Sequence, residues 1–156
     1  MRKADREITD LKDIYDVLER CPVIRVGIKN EPYPYVVPLS FGCELQEGKI
    51  SVYFHGAKEG LKHELLSKDP HVCVEADLFH GYVELGHGIT TDYESVIGFG
   101  TAEIVEGSDA VHGLQLLLDH CGSPNEDAEG CVRMGMTRVY RVTLDEAYGK
   151  RRFPKE

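Results

Sequence analysis

Several things this 156-residue chain lacks narrow what it can be. No apolar run approaches the ~18 residues that a membrane-crossing helix needs, which argues against a membrane protein of that kind. Positive charge is scarce: 18 Lys and Arg stand against 27 Asp and Glu, a net charge of −9. A nucleic-acid binder needs a basic surface to neutralise phosphates, so that class is disfavoured, although one small basic pocket remains compatible with the total. The five cysteines (Cys21, Cys43, Cys73, Cys121, Cys131) are odd in number and show no CxxC spacing. The seven histidines are spread out, with no HExxH and no Cys/His quartet, so no metal site is expected. Gly98-Phe99-Gly100 is not a dinucleotide fingerprint, because no helix follows it at once. The opening residues, MRKADREITDLKD, are too charged for a secretory leader. The expectation is therefore reduced thiols in a cytoplasmic protein.

What is present fits one soluble domain over residues 1–156, with 42% hydrophobic and 29% charged residues. Thr9 or Asp10 caps a helix over roughly 10–20, with Leu11, Ile14, Tyr15 and Leu18 as its apolar stripe. Val23 to Ile28 reads as a strand, followed by a turn at Asn30-Glu31-Pro32. Residues 35–42 are again strand-like but carry Pro38, which cannot donate a ladder hydrogen bond. That strand must lie at an edge, be bulged, or open to a ligand. His71 to Asp77 alternates as a further strand. Residues 79–92, with three glycines and no clear period, read as a long loop. Tyr93 to Val105 is a long strand in which Gly98 and Gly100 allow a bend or a close backbone approach. Ser108 or Asp109 caps a third helix with Leu114, Leu117 and Leu118 facing the core. Residues 122–135 look irregular, and Thr137 to Leu144 is a last strand before the basic tail GKRRFPK. About six strands and three short helices, mostly joined by short turns, predict a mainly β fold: an antiparallel barrel, closed or nearly so.

The most informative stretch is Lys49 to Leu66, KISVYFHGAKEGLKHELL. Ile50, Val52 and Phe54 alternate as in a half-buried strand. The pattern breaks at His55-Gly56-Ala57, and from Lys58 the spacing is helical, with Leu61, Leu65 and Leu66 on one face. A helix start offers unpaired N–H groups and the positive end of the helix dipole, which favour an anion. Lys58 and Lys62, four apart, place two more positive charges there. Taken alone, the two lysines are more often a solvated helix face.

The order and spacing of PYVVPLSFG (Pro34–Gly42), YFHGAKEGLKHELL (Tyr53–Leu66), TTDYESVIGFGTAEIVE (Thr90–Glu106) and GKRR (Gly149–Arg152) resemble the pyridoxamine 5'-phosphate oxidase-like flavoproteins, which have the FMN-binding split barrel. Within them the chain is most similar to the nitroimidazole-resistance branch, whose members resemble 5-nitroimidazole reductases. The resemblance implies FMN as cofactor and a homodimer with flavin sites at the subunit interface. It places Val37, Pro38, Leu39 and Ser40 along the isoalloxazine. His55, Gly56, Ala57 and Lys58 would line the ribityl and phosphate side, with Lys62 on the phosphate. Tyr93, Ser95, Val96 and Gly98 would approach the flavin from the partner subunit. In the oxidase branch the helix offers Ser-Arg-Lys to the phosphate; here those places read Gly60-Leu61-Lys62, so Lys58 or another basic residue must supply the missing charge. No counterpart of that branch's C-terminal substrate-binding arginine and histidine is evident, which argues against pyridoxamine phosphate as substrate.

The function expected on this basis is FMN-dependent reduction of a small organic substrate, such as a nitroimidazole or other nitroaromatic. His55 is either hydrogen-bonded to a nearby carbonyl or a proton donor beside the flavin. The alternatives are a flavin-sequestering or sensor protein without turnover, a related oxidase acting on another substrate, or a barrel holding deazaflavin or haem.

Overall fold

The computed structural model describes residues 4–135 and 137–152. Its strands are β1 (Glu7–Ile8), β2 (Ile24–Ile28), β3 (Tyr35–Leu39), β4 (Gly42–Gln46), β5 (Lys49–Ala57), β6 (His71–Leu85), β7 (Gly88–Val105) and β8 (Thr137–Arg152). The helices are α1 (Leu11–Arg20), α2 (Leu61–Lys68), α3 (Gly107–His120) and α4 (Ala128–Arg133). All strand pairs are antiparallel, in the order β3-β2-β6-β7-β8-β5-β4, with β1 added to β8. The end strands β3 and β4 are consecutive in the chain, joined only by Ser40 and Phe41, yet they do not pair with each other. The sheet therefore curls into a barrel that stays split. Pro38 lies in β3, an edge strand, where a missing donor is tolerated.

The barrel interior is filled by inward residues of every long strand, among them Val26, Val52, Phe54, Val74, Val96, Tyr140 and Val142. Helix α1 covers this core with Ile14, Val17 and Leu18, and the Asp10 carboxylate caps it by accepting from the amides of Lys12 and Asp13. Helices α3 and α4 bury a second cluster of Tyr53, Val105, Ala110, Leu114, Ala128 and Val139. Among the described residues, no helix is long and apolar enough to cross a membrane. No group of three or more ligating side chains could hold a metal ion there, and the cysteines are free, with Cys21 and Cys43 buried.

Several elements differ from the sequence expectation. Residues 79–92 are a β-hairpin, not a loop. β6 runs on to Leu85 and β7 begins at Gly88, with the register shifted between Phe79 and Gly81. The extra residue at the shift reverses which side each later residue faces, so the alternation loses its phase in the sequence. The last strand continues past Leu144, and Arg151 and Arg152 pair with Glu94 and Tyr93. The remainder of the basic tail, Phe153 to Lys155, lies outside the described residues. Two strands, β1 and β4, had no sequence signal, and the segment read as irregular contains α4, capped by the Asp127 carboxylate accepting from Gly130 N–H. Helix α3 begins at Gly107 with Glu106 at its cap, not at Ser108 or Asp109. Gly100 does mark a close approach: β8 is bulged at Asp145, opposite Phe99 and Gly100, and a Cβ on Gly100 would lie 2.2 Å from the Thr143 carbonyl oxygen.

Alternation along β7 turns Glu94 inward, where it is 1% exposed. One carboxylate oxygen accepts from Arg20 Nη2 at 2.8 Å and Arg151 Nε at 2.7 Å; the other accepts from Arg20 Nη1 at 2.7 Å. His80 Nε2 lies 2.9 Å from that second oxygen and must carry a proton to bond it. Burial alone raises the Glu94 pKa, but the bonds from Arg20, His80 and Arg151 outweigh it and bring it down to about 2. The cluster ties α1, the hairpin and the end of β8 together. Asp92 and Arg152 pair beside it.

Two outcomes follow for Glu94. Because its folded value lies below the ordinary 4.5, its stabilisation is complete above about pH 4.5 and is lost as pH falls towards about 2. Glu94→Gln should cost about 3 kcal/mol in urea denaturation at pH 7, at the low end for a broken buried pair because the guanidinium groups remain partly solvated. The same variant should show a shallower loss of stability with acid over that window.

Candidate functional site

Strand β5 runs through His55, Gly56 and Ala57, so these residues are strand rather than turn. Lys58, Glu59 and Gly60 form the whole connection to α2, and Lys58 is therefore not on the helix. Gly60 caps α2 with φ 112° and no side-chain hydrogen bond, so no side chain satisfies the N–H groups of the first turn. Lys62, in that first turn, reaches back over the strand. Its Nζ donates to the His55 carbonyl at 3.3 Å and lies 5.5 Å from the centre of the Phe54 ring. A Cβ on Gly56 would stand 2.6 Å from that nitrogen, so the glycine makes room for the lysine. Burial lowers the Lys62 pKa. The His55 pKa is lowered too, first by burial and then by the charge of Lys62.

The register of β5 on β8 places Arg138 directly opposite Gly56. Arg138 Nη1 lies 3.2 and 3.0 Å from the two ring nitrogens of His63 on α2. His63 Nδ1 is in turn 2.9 Å from the hydroxyl of Tyr140, a buried residue stacked on Phe54. Arg20, Arg25, Arg141, Arg151 and Arg152 all form ion pairs with carboxylates. Among the described residues, Lys58, Lys62 and Arg138 form none, although the chain is rich in acid. Lys62 and Arg138 converge on Gly56 beside an uncapped helix start and together attract an anion with several oxygen atoms. Lys58 lies further along the connection, its Nζ 3.5 Å from where a Cβ on Gly135 would stand. Lys58 and Arg138 also line an adjoining cavity of about 370 Å³, whose other walls include the apolar Ile104, Val105, Val132 and Val139 and the polar Glu106 and Thr137.

The other expected site residues fall into two groups. Val37 and Leu39 are partly buried against the core, while Pro38 and Ser40 are exposed. This segment and residues 55–58 diverge from the common Gly42–Tyr53 pair, so they flank the split in the barrel. Tyr93 and Ser95 are half-buried on the outer face of β7, whereas Val96 points into the core and Gly98 packs against Leu144. Through β8, His55 is level with Val105, so residues 93–98 lie seven to twelve positions away along β7. At ~3.3 Å per residue that is roughly 20–40 Å along the strand, so one chain does not bring residues 93–98 to His55. Val37, by contrast, is level with Gly98 through β2 and β6. Arg138 and His63 were missed in the sequence. An isolated arginine at a strand start carries no motif, and only the strand pairing reveals its place opposite Gly56.

An open antiparallel sheet curled around one core, with helices over its openings, defines a split barrel. A sequence model described as pyridoxamine 5'-phosphate oxidase matches residues 10–151, and the chain belongs to that family. Its fold is similar to a candidate 5-nitroimidazole antibiotic resistance protein from Bacteroides thetaiotaomicron VPI-5482, with a TM-score of 0.80 at 28% identity over 92% of this chain and 85% of that one. The flavocytochrome Anf3 from Azotobacter vinelandii has a TM-score of 0.77 at 22% identity over 98% and 72% of the two chains. A FAD-binding protein from Mesorhizobium loti has 0.65 at 21% over 95% and 98%. No curated protein matches the chain.

The electrostatics of this site are testable without a ligand. Lys62→Gln removes the charge that helps depress His55, so the His55 imidazole should titrate at higher pH in the variant, read by NMR of its ring protons. An unchanged titration would mean that Lys62 does not sense His55.

Proposed function

We propose that this protein binds FMN by its phosphate at the β5–α2 connection and uses it to reduce a small organic substrate, such as a nitroimidazole or another nitroaromatic. The observation that carries this reading is the pair Lys62 and Arg138, neither matched by a carboxylate among the described residues, converging on Gly56, whose missing side chain makes room for Lys62, with Lys58 in the connection that follows. Family membership and the likeness to the Bacteroides protein support it. A bound flavin would supply the electron chemistry. The chain's part is to bind, orient and shield. Lys62 and Lys58 would anchor the phosphate, with His55, Gly56 and Ala57 along the ribityl side. Val37, Pro38, Leu39 and Ser40 would support the ring. His55 is exposed on β5, yet partial desolvation and then the Lys62 charge hold its pKa below the ordinary 6.5. Near pH 7 it is therefore neutral, with one N–H to donate and one lone pair. It would deliver a proton readily only at lower pH, where it is charged.

The proposal includes a homodimer with the flavin at the interface. Phe79, Tyr82, Ile89, Ile97, Phe99 and Tyr148 are all exposed, by 42% to 76%, and strand register sets them on one outer face of β6, β7 and β8. Exposed apolar side chains gathered on one face, interspersed with Asp77, Ser95 and Lys150, suit a contact surface with a polar component. Pairing through it would let Tyr93 and Ser95 of one subunit approach the other's site, while Val96 and Gly98 would act by keeping the strand packed. FAD is a second reading, favoured by the cavity of about 370 Å³ that adjoins the anion site through Arg138 and has a mixed lining, with Ile104, Val105, Val132 and Val139 to pack on an adenine and Glu106 and Thr137 as polar partners. That cavity has no assigned occupant if the cofactor is FMN.

The protein as purified should show flavin absorption, and mass analysis of the released cofactor distinguishes FMN from FAD. Colourless protein that takes up neither on titration would overturn the reading. Lys62→Ala should weaken FMN binding by roughly tenfold or more, the usual loss of a charge-assisted hydrogen bond. Anaerobic mixing of reduced protein with a nitroimidazole should restore the oxidised spectrum at a catalytic rate; no reoxidation would leave a flavin carrier without turnover. Ile97→Glu should convert a dimer to a monomer in light scattering.

A further inference from the structure

We infer that Arg138, braced on β8 opposite Gly56, is the fixed, fork-shaped cation of the phosphate site, complementing the lysines. The inference rests on the flavin reading above, and the experiment below is arranged so that the two can fail separately.

Its basis is placement. Arg138 comes from β8 and faces Gly56 across the ladder, while Lys62 comes from α2 and crosses the same glycine. The two cations therefore converge from opposite sides on one backbone position that has no side chain of its own. Arg138 is also braced. Its guanidinium lies against both nitrogens of His63, and His63 is held by the Tyr140 hydroxyl within the buried Phe54–Tyr140 stack. A flexible surface arginine loses rotamer entropy on binding a ligand; one already held in place loses less. No carboxylate neutralises it among the described residues, so its N–H groups not facing His63 stay available for an oxyanion. A planar guanidinium can offer two parallel N–H bonds to phosphate, which a lysine cannot. In this arrangement Lys62 supplies a movable point charge and Arg138 the geometry.

Riboflavin, which is FMN without the phosphate, separates this role from a merely structural one. Flavin fluorescence titrations of wild type and Arg138→Gln would be run with both. The expected result is a loss of about 10- to 100-fold in FMN affinity with riboflavin affinity changed by less than about twofold. Equal losses for both flavins, or no loss for FMN, would overturn the assignment, the first outcome meaning that Arg138 only braces His63. If Arg138→Gln fails to fold, Arg138→Lys keeps the charge without the fork. An FMN-to-riboflavin affinity ratio below that of wild type supports the role, and an unchanged ratio overturns it. If wild type binds neither flavin, the flavin reading fails. The anion clamp is then judged alone, by whether inorganic phosphate raises the melting temperature of wild type but not of Arg138→Gln. No shift in wild type would end it.

Discussion

Everything else in the molecule hangs on backbone hydrogen bonding along both edges of β7. At 18 residues it is far longer than the typical strand of about 5–6, and each unpaired amide in its buried length would be costly. β6 and β8 satisfy it from the hairpin tip to Val105, and a bulge on each side lets the long ribbon bend. The bend makes a barrel out of a sheet. Strict alternation then sorts the side chains, with Glu94, Val96, Gly98 and Gly100 inward and Tyr93, Ser95, Ile97 and Phe99 outward. The same strand therefore closes the core and presents the apolar outer face.

Charge is distributed with similar economy. Most arginines in this acid-rich chain are already committed: Arg20 and Arg151 to Glu94, Arg25 to Glu75 and Asp77, Arg141 to Glu103. The region around Gly56 differs in that two cations without an ion pair among the described residues, Lys62 and Arg138, meet at one point. There Lys62 is partly desolvated without a counter-charge, which depresses its own pKa and that of His55. A fold carries such an unfavourable arrangement where a ligand relieves it.

The parts of this that were legible in the sequence are those written in local patterns. Asp10 before an apolar stripe, Pro38 in an otherwise β-like run, and His71 to Asp77 alternating all have a short-range signature, and each stands where that signature put it. The hairpin at 79–92 did not, because a single extra residue at its bulge reverses the phase of an otherwise regular strand. The end of β5 was misread for a different reason. Gly56 looks like a turn in a sequence, and only the presence of Lys62 above it explains why a strand has no side chain there. Arg138 was illegible altogether. Its role depends on which residue of β5 it faces, and that register is set by the whole length of β8.

The split between β3 and β4 has a consequence for how copies of the chain can meet. An open barrel has two bare strand edges, and bare edges invite other chains to add on. β3 is short and carries Pro38, and β4 is only five residues long, so neither makes a good template for an added strand. Association is thereby steered from edges to faces. The chain can keep a gap in its wall without polymerising through it.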